Sequence, residues 1–327
     1  MLAGLSAALG AGLLWGLVFL TPLLLADYPP FMLAIGRYLA FGVLALGLAW
    51  FDRAALARLT RADWIEAVKL ALVGNLVYYA TLASAIQLAG GPVPTLIIGT
   101  LPVVIAITAN LLDRHHGGGE DSAPWIRLAA PLALILGGLF AVHSASAHAL
   151  PADASADYLL GIGFGLCALA CWTWYPIRNS RWLRARGAGL SRAWATAQGL
   201  ATLPVAIVAG IGYWLWDTRL APGGAGFAWP LGPRPEAFVG MCILLGLAAS
   251  WLGTLLWNRA SHLLPAALVG QLIVFETLAA LLYAFLWYGR WPGMAESAGI
   301  ALLIAGVLGG VRVFRPGAAR PAVDRTA

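Results

Sequence analysis

Charge is what this chain has least of. Only 10% of its 327 residues are Asp, Glu, Lys or Arg, and 14 are acidic, whereas soluble domains carry about 25% charged residues. With 61% hydrophobic residues and a mean hydropathy of +0.82, a soluble globule or a disordered chain is excluded, and the protein belongs in a bilayer. Cysteine is scarce as well. Cys167, Cys171 and Cys242 all fall in apolar runs, so the sequence encodes neither a disulfide framework nor a zinc site. It has no phosphate loop, nucleotide fingerprint or metal-ligand cluster. An ATP-driven pump is thereby excluded, and no cofactor or metal is expected. The net charge of +6 does not signal nucleic acid, because the Arg residues sit in short loops between apolar runs. No basic stretch precedes the first apolar run, which reads as a transmembrane helix and not a removed signal peptide.

What the chain does have is apolar runs of bilayer length. Ten spans are expected, at 3–25, 30–50, 64–88, 92–112, 124–143, 158–177, 191–216, 236–258, 265–287 and 295–314. Each can cross roughly 30 Å at about 1.5 Å per residue. Pro and Gly punctuate the joints, as in "DYPP" (27–30), "GGPVP" (90–94) and "APGGAG" (221–226). Sixteen Arg and Lys residues fall in the even-numbered loops and the C-terminal tail, and three in the odd-numbered loops. The positive-inside rule then puts both termini in the cytoplasm of a bacterial-type inner membrane. Arg37, inside the second span, belongs to neither side.

The order of features repeats. "LGAGLLWG" (9–16) matches "LCALACWT" (166–173), aligning Trp15 with Trp172; "PPFMLAIGRYLAFG" (29–42) matches "GLSRAWATAQGLAT" (189–202), aligning Arg37 with Gln198. Five spans per half is an odd number, so the second half must be inverted relative to the first. The expected organisation is a first repeat at 1–143, a periplasmic loop at 144–157, a second repeat at 158–314 and a disordered tail at 315–327. Inverted repeats meeting at a central site are a recurring plan of secondary transporters.

With these features the sequence resembles the EamA family of the drug/metabolite transporter (DMT) superfamily. The resemblance is carried by "LLWG" in the first span, "PPFMLAIGRYLAFG" in the second, "LLWNRASHLLPAALVGQLIVFETLAALLYAFLWYGR" across the eighth and ninth, and "AGIALLIAGVLGG" (298–310). It covers nearly the whole chain and implies ten helices in two inverted five-helix repeats around a central cavity. "NLVYYATLASAIQLAGGPVPT" (75–95) and the 15 Trp residues look most similar to the aromatic amino-acid exporters, the YddG type. The chain departs from the family pattern in having Glu276-Thr277 where members often have Glu-Pro, which implies a straighter ninth helix. The first span lacks an acidic residue, which argues against proton exchange there.

The candidate site residues are those buried deep in spans, where polar groups must find partners or cavity water. Glu276 is the one carboxylate at midplane, read either as a proton or amine site or as a structural acid. Asn75, Tyr78 and Tyr79 share a face at i, i+3 and i+4 and suit a zwitterion with an aromatic side chain, or plain interhelical packing. Trp251, Thr254 and Asn258 form a second face, with Gln271 one turn from Glu276. Trp15 and Trp172 can wall a cavity across a pseudo-two-fold axis. Arg37 and its repeat partner Gln198 are expected to organise the bundle or to touch substrate, and Asn258 likewise. Trp residues near span ends, among them Trp50, Trp182, Trp194, Trp214, Trp216 and Trp291, suit an interfacial belt. The expected function is alternating-access export of amino acids, aromatic ones first, or of similar small metabolites. The expected partners are a small molecule and lipid, with no nucleic acid; a monomer is compatible with the sequence. A multidrug exporter of the same superfamily is the nearest rival. A membrane-embedded enzyme built on His115, His116, Glu120 and Asp121 is a distant one.

Overall fold

The computed structural model describes residues 1–89, 92–115, 125–146, 156–186, 190–220, 227–287, 289 and 291–313. His116, Glu120 and Asp121, most of the 144–157 loop and the 315–327 tail lie outside the described residues. Among the described residues there are helices and no strands, as expected where backbone groups have no water to bond.

The helices group into ten rods. They are α1 (Leu2–Leu24), α2 (Pro30–Leu56), α3 (Arg61–Ala89), α4 (92–115), α5 (Trp125–Ser146), α6 (Ala156–Arg186), α7 (Ser191–Leu220), α8 (Pro235–Leu263), α9 (266–287) and α10 (Met294–Val313). Local chemistry sets several ends. Pro30 opens α2 at a position where its missing N–H goes unused. Thr60 and Asp63 close a capping box at the start of α3. Six rods, α1, α2, α3, α6, α7 and α8, are long and apolar enough to cross a membrane. Shorter apolar helical stretches lie at Ile126–Gly138, Leu268–Tyr283 and Met294–Gly310.

Two rods are broken. α4 consists of Pro92–Gly99 and Leu101–His115, meeting at Thr100 just ahead of Pro102. α9 consists of Ala266–Leu272 and Val274–Trp287. The ninth helix is therefore not straightened by the lack of a proline: around Ile273 the backbone tightens, with Ile273 N donating to Gly270 O and Glu276 N to Ile273 O. These three-residue bonds replace the usual four-residue ones and put the break beside Glu276.

The helices pack in a regular scheme. α2 lies along α7, α5 along α10 and α4 along the first part of α9, while α1 contacts α8 and α9, and α6 contacts α3 and α4. Exchanging every helix for the one five further along leaves this scheme unchanged. α3 and α8, third in each half, both widen into π-helix, at Leu70–Val77 and Leu245–Leu252. Close approach between rods needs small residues. A Cβ on Gly12 of α1 would sit 2.7 Å from the carbonyl carbon of Phe275 and 2.8 Å from Glu276 N. That glycine lets α1 seat directly against the α9 backbone at the buried carboxylate.

One Trp expected at the interface, Trp194, is internal, and its neighbour Trp182 is half-buried. Trp194 is fully buried and stacks on Trp182, ring centroids 3.5 Å apart; their indole N–H groups donate to Asn179 and Asp63. A polar side chain below the span end drew them inward. Trp50, Trp214, Trp216 and Trp291 are exposed, as a belt requires.

Candidate substrate site

Arg37, about two turns into α2, is 5% exposed. Its Nε donates to Ser250 Oγ, 2.9 Å away in the π segment of α8. Its guanidinium lies over the rings of Tyr38 and Tyr79, 5.0 and 4.7 Å from their centroids, a cation–π arrangement that offsets some desolvation. Nη1 is buried without a partner. Arg37 thus ties α2 to α8 and stacks on α3, and Nη1 is left without a partner.

Glu276, at the start of the longer part of α9, is 3% exposed, and its Oε2 is buried without a partner. Arg37 acts electrostatically on Glu276, and both act on Tyr78. Both groups are buried, and they are not bonded to each other. A buried charge lacking a hydrogen-bond partner costs several kcal/mol. A ligand carrying both signs would satisfy both.

Stacked rings lie beside these groups. Trp172 stacks on Tyr78 (centroids 4.5 Å, planes 14° apart) and on Tyr175 (4.9 Å, 6°). Trp15 meets Trp172 edge-on at 5.2 Å and Trp257 at 5.0 Å. Trp15 and Trp172, aligned with each other in the sequence, are thus in direct ring contact. They differ in bonding. Trp15 Nε1 donates to Ala249 O at 2.8 Å, in the π segment of α8. Trp172 Nε1 lies beside the Glu276 carboxyl without closing a hydrogen bond to it. The hydroxyls of Tyr78 and Tyr79 and the Trp257 Nε1 are also unpartnered.

The remaining sequence candidates divide. Asn75, in the π segment of α3, donates to Thr202 Oγ1 in α7 at 3.3 Å. It bridges the halves as Ser250 does for Arg37. Gln198 accepts from Tyr175 OH at 2.7 Å and donates to Asn179 at 3.2 Å. Asn179 donates to Asn258, which donates to Ser191 O. Gln198 and Asn258 thus belong to a satisfied network that braces α6, α7 and α8. Trp251 donates to Thr196, which with Arg192 holds Asp52. Thr254 is buried on the same α8 face and pairs with Tyr175. Gln271 points away, its amide wedged at Gly310 of α10 with both polar atoms unpartnered.

Sequence reasoning missed Asn179, Tyr175 and Ser250, and it placed Trp257 only near the α8 face. Asn179 sits among basic residues and reads as a loop, whereas α6 continues to Arg186. Tyr175 lies three residues after Trp172, a helical spacing that could have flagged it.

A model of the EamA-like transporter family matches residues 2–115. Inner membrane protein YtfF of Escherichia coli (strain K12) is 46% identical over 313 residues, covering 95% of this chain and 96% of that protein. The chain belongs to the EamA-like transporter family. It is therefore a multi-pass membrane transporter of the DMT superfamily, and the buried charges and rings are the interior of a transporter. A solved crystal structure shares the fold, with a TM-score of 0.70 at 18% identity over 95% of this chain and 97% of the other.

Proposed function

We propose that this transporter exports amino acids, aromatic ones in the first place, by rocking two five-helix halves about the interior that holds Arg37 and Glu276. One observation carries the reading: a buried guanidinium and a buried carboxyl, each with an unpartnered atom, lie among stacked rings. An amino-acid carboxylate answers Arg37, an ammonium answers Glu276, and an aromatic side chain answers the rings. Ten spans, inverted repeats and cytoplasmic termini complete the proposal. The five-helix periodicity of the contacts and the paired π segments support the repeats, and the Arg and Lys bias supports the orientation.

The test is flux of labelled amino acids in proteoliposomes, at equal and unequal pH across the membrane. Aromatic amino acids are expected to move down their gradient. Absence of any amino-acid flux would overturn the proposal and favour another metabolite or a drug. The buried carboxylate also supports proton exchange: acceleration of flux by a pH gradient, lost in Glu276→Gln, would establish it, and indifference to the gradient would leave facilitated diffusion.

A further inference from the structure

The stacked triplet is asymmetric in a way the pseudo-symmetric fold does not require. Trp15 and Trp172 occupy equivalent places in the two halves. Trp15 is anchored by its bond to the Ala249 carbonyl, which the π segment of α8 exposes. In the matching π segment of α3, Gly74 packs against the Tyr175 ring, and Trp172 Nε1 has no partner. Trp172 is 6% exposed, has no hydrogen bond at its Nε1, and is held by ring stacking on Tyr78 and Tyr175. Both phenol planes run nearly parallel to the indole at stacking distance. They are fixed differently. Tyr175 is tied to Gln198, whereas Tyr78 extends from α3 with a free hydroxyl toward Glu276.

We infer that Trp172 is an internal occupant of an aromatic slot formed by Tyr78 and Tyr175, and that a planar substrate ring displaces it. This rests on the amino-acid reading above and deepens it by naming the residue that sets aromatic preference. The stacking spacing to each phenol suits one flat ring. An aliphatic amino acid cannot replace the lost stacking and leaves Trp172 in place. Self-occupation also lowers apparent affinity by the fraction of time the slot is filled.

Transport kinetics in proteoliposomes test this. Trp172→Ala empties the slot, and KM for phenylalanine and tryptophan is expected to fall, on the order of tenfold if the slot is filled most of the time. KM for alanine is expected to stay within about twofold, and Trp172→Phe to fall between. Parallel changes for all three substrates, or a higher KM for the aromatic ones alone, would overturn the inference. Should Trp172→Ala not fold, 19F NMR of the full-length protein labelled with 5-fluorotryptophan tests the same displacement. The Trp172 resonance, assigned by its loss in Trp172→Phe, is expected to shift with phenylalanine and not with alanine. A resonance unmoved by phenylalanine would overturn it. If the wild type carries aromatic amino acids yet Trp172 is indifferent, the slot fails and the amino-acid reading stands; if it carries no amino acid, both fail.

Discussion

At the residue scale, the decisive contrast is between polar groups that are satisfied and those that are not. Asn179 bonds Trp194, Gln198 and Asn258, and each partner is buried. Hydrogen bonds between membrane helices average about 0.6 kcal/mol, so Asn179→Leu is expected to cost roughly 2 kcal/mol, read as a lower midpoint of thermal aggregation with substrate preference unchanged. Arg37 and Glu276 should behave in the opposite way. Glu276→Gln changes a buried carboxyl whose Oε2 has no partner in the protein. Its effect should fall on transport, raising KM on the order of 10- to 100-fold, the worth of about 1.5–3 kcal/mol for a charge-assisted hydrogen bond. Arg37→Lys keeps the charge and loses the Nε bond to Ser250 and the stacking on Tyr38 and Tyr79. A folded variant with raised KM indicates substrate binding; loss of folded protein indicates that bracing dominates.

At the scale of the element, α1 and α9 show how the site is positioned. Gly12 admits the α9 backbone at Phe275 and Glu276, and Gly16 does the same at Ala279 and Ala280. Gly12→Ala is expected to push α9 away, costing about 1–3 kcal/mol of stability as overpacking does. Transport should drop more than the equivalent change at Gly47, which faces open space, with both compared at equal amounts of folded protein. Helix elements were largely legible in the sequence, because twenty-residue apolar runs have one solution in lipid. The break in α9 was not, since it arises from backbone tightening at Ile273 with no proline to announce it. The π segments were invisible for the same reason: widening a helix depends on what its neighbours insert, such as Trp15 at Ala249. Glu276, Arg37 and Tyr78 were legible as single polar residues at apolar depth. The Asn179 network and the slot were not, because they are made of partners far apart in the chain.

At the scale of the whole molecule, ion pairs tie the ends of the bundle and leave its centre unpaired. At one end Asp52 pairs with Arg192, Asp63 with Arg186, and Glu66 with Arg178, joining α2 to α7 and α3 to α6. At the other, Arg234 pairs with Asp27, and Tyr28 bonds Leu231 O and Arg234 N, fastening the α1–α2 corner to the segment before α8. The hydrogen bond from Arg234 holds the Asp27 carboxyl below the usual carboxylate range. A depressed folded pKa gives stability that is present above the unfolded value, about 3.9, and lost as pH falls through the folded one. Asp27→Asn is therefore expected to lower the thermal midpoint slightly near neutrality, with the difference shrinking as pH falls through the lowered folded value, a small effect for so exposed a pair. A rocking cycle must release one set of these ties at a time while the central charges bind and release cargo.

The central claim is that cargo must bring both a negative and a positive pole to Arg37 and Glu276. Counterflow of labelled tryptophan into proteoliposomes, with competitors that each lack one pole, tests it directly. Unlabelled tryptophan is expected to compete fully, while tryptamine, without the carboxylate, and indole-3-propionate, without the amine, each compete at least about tenfold more weakly, the equivalent of one lost charge-assisted contact. Equal competition by all three, or no tryptophan counterflow, would contradict the account.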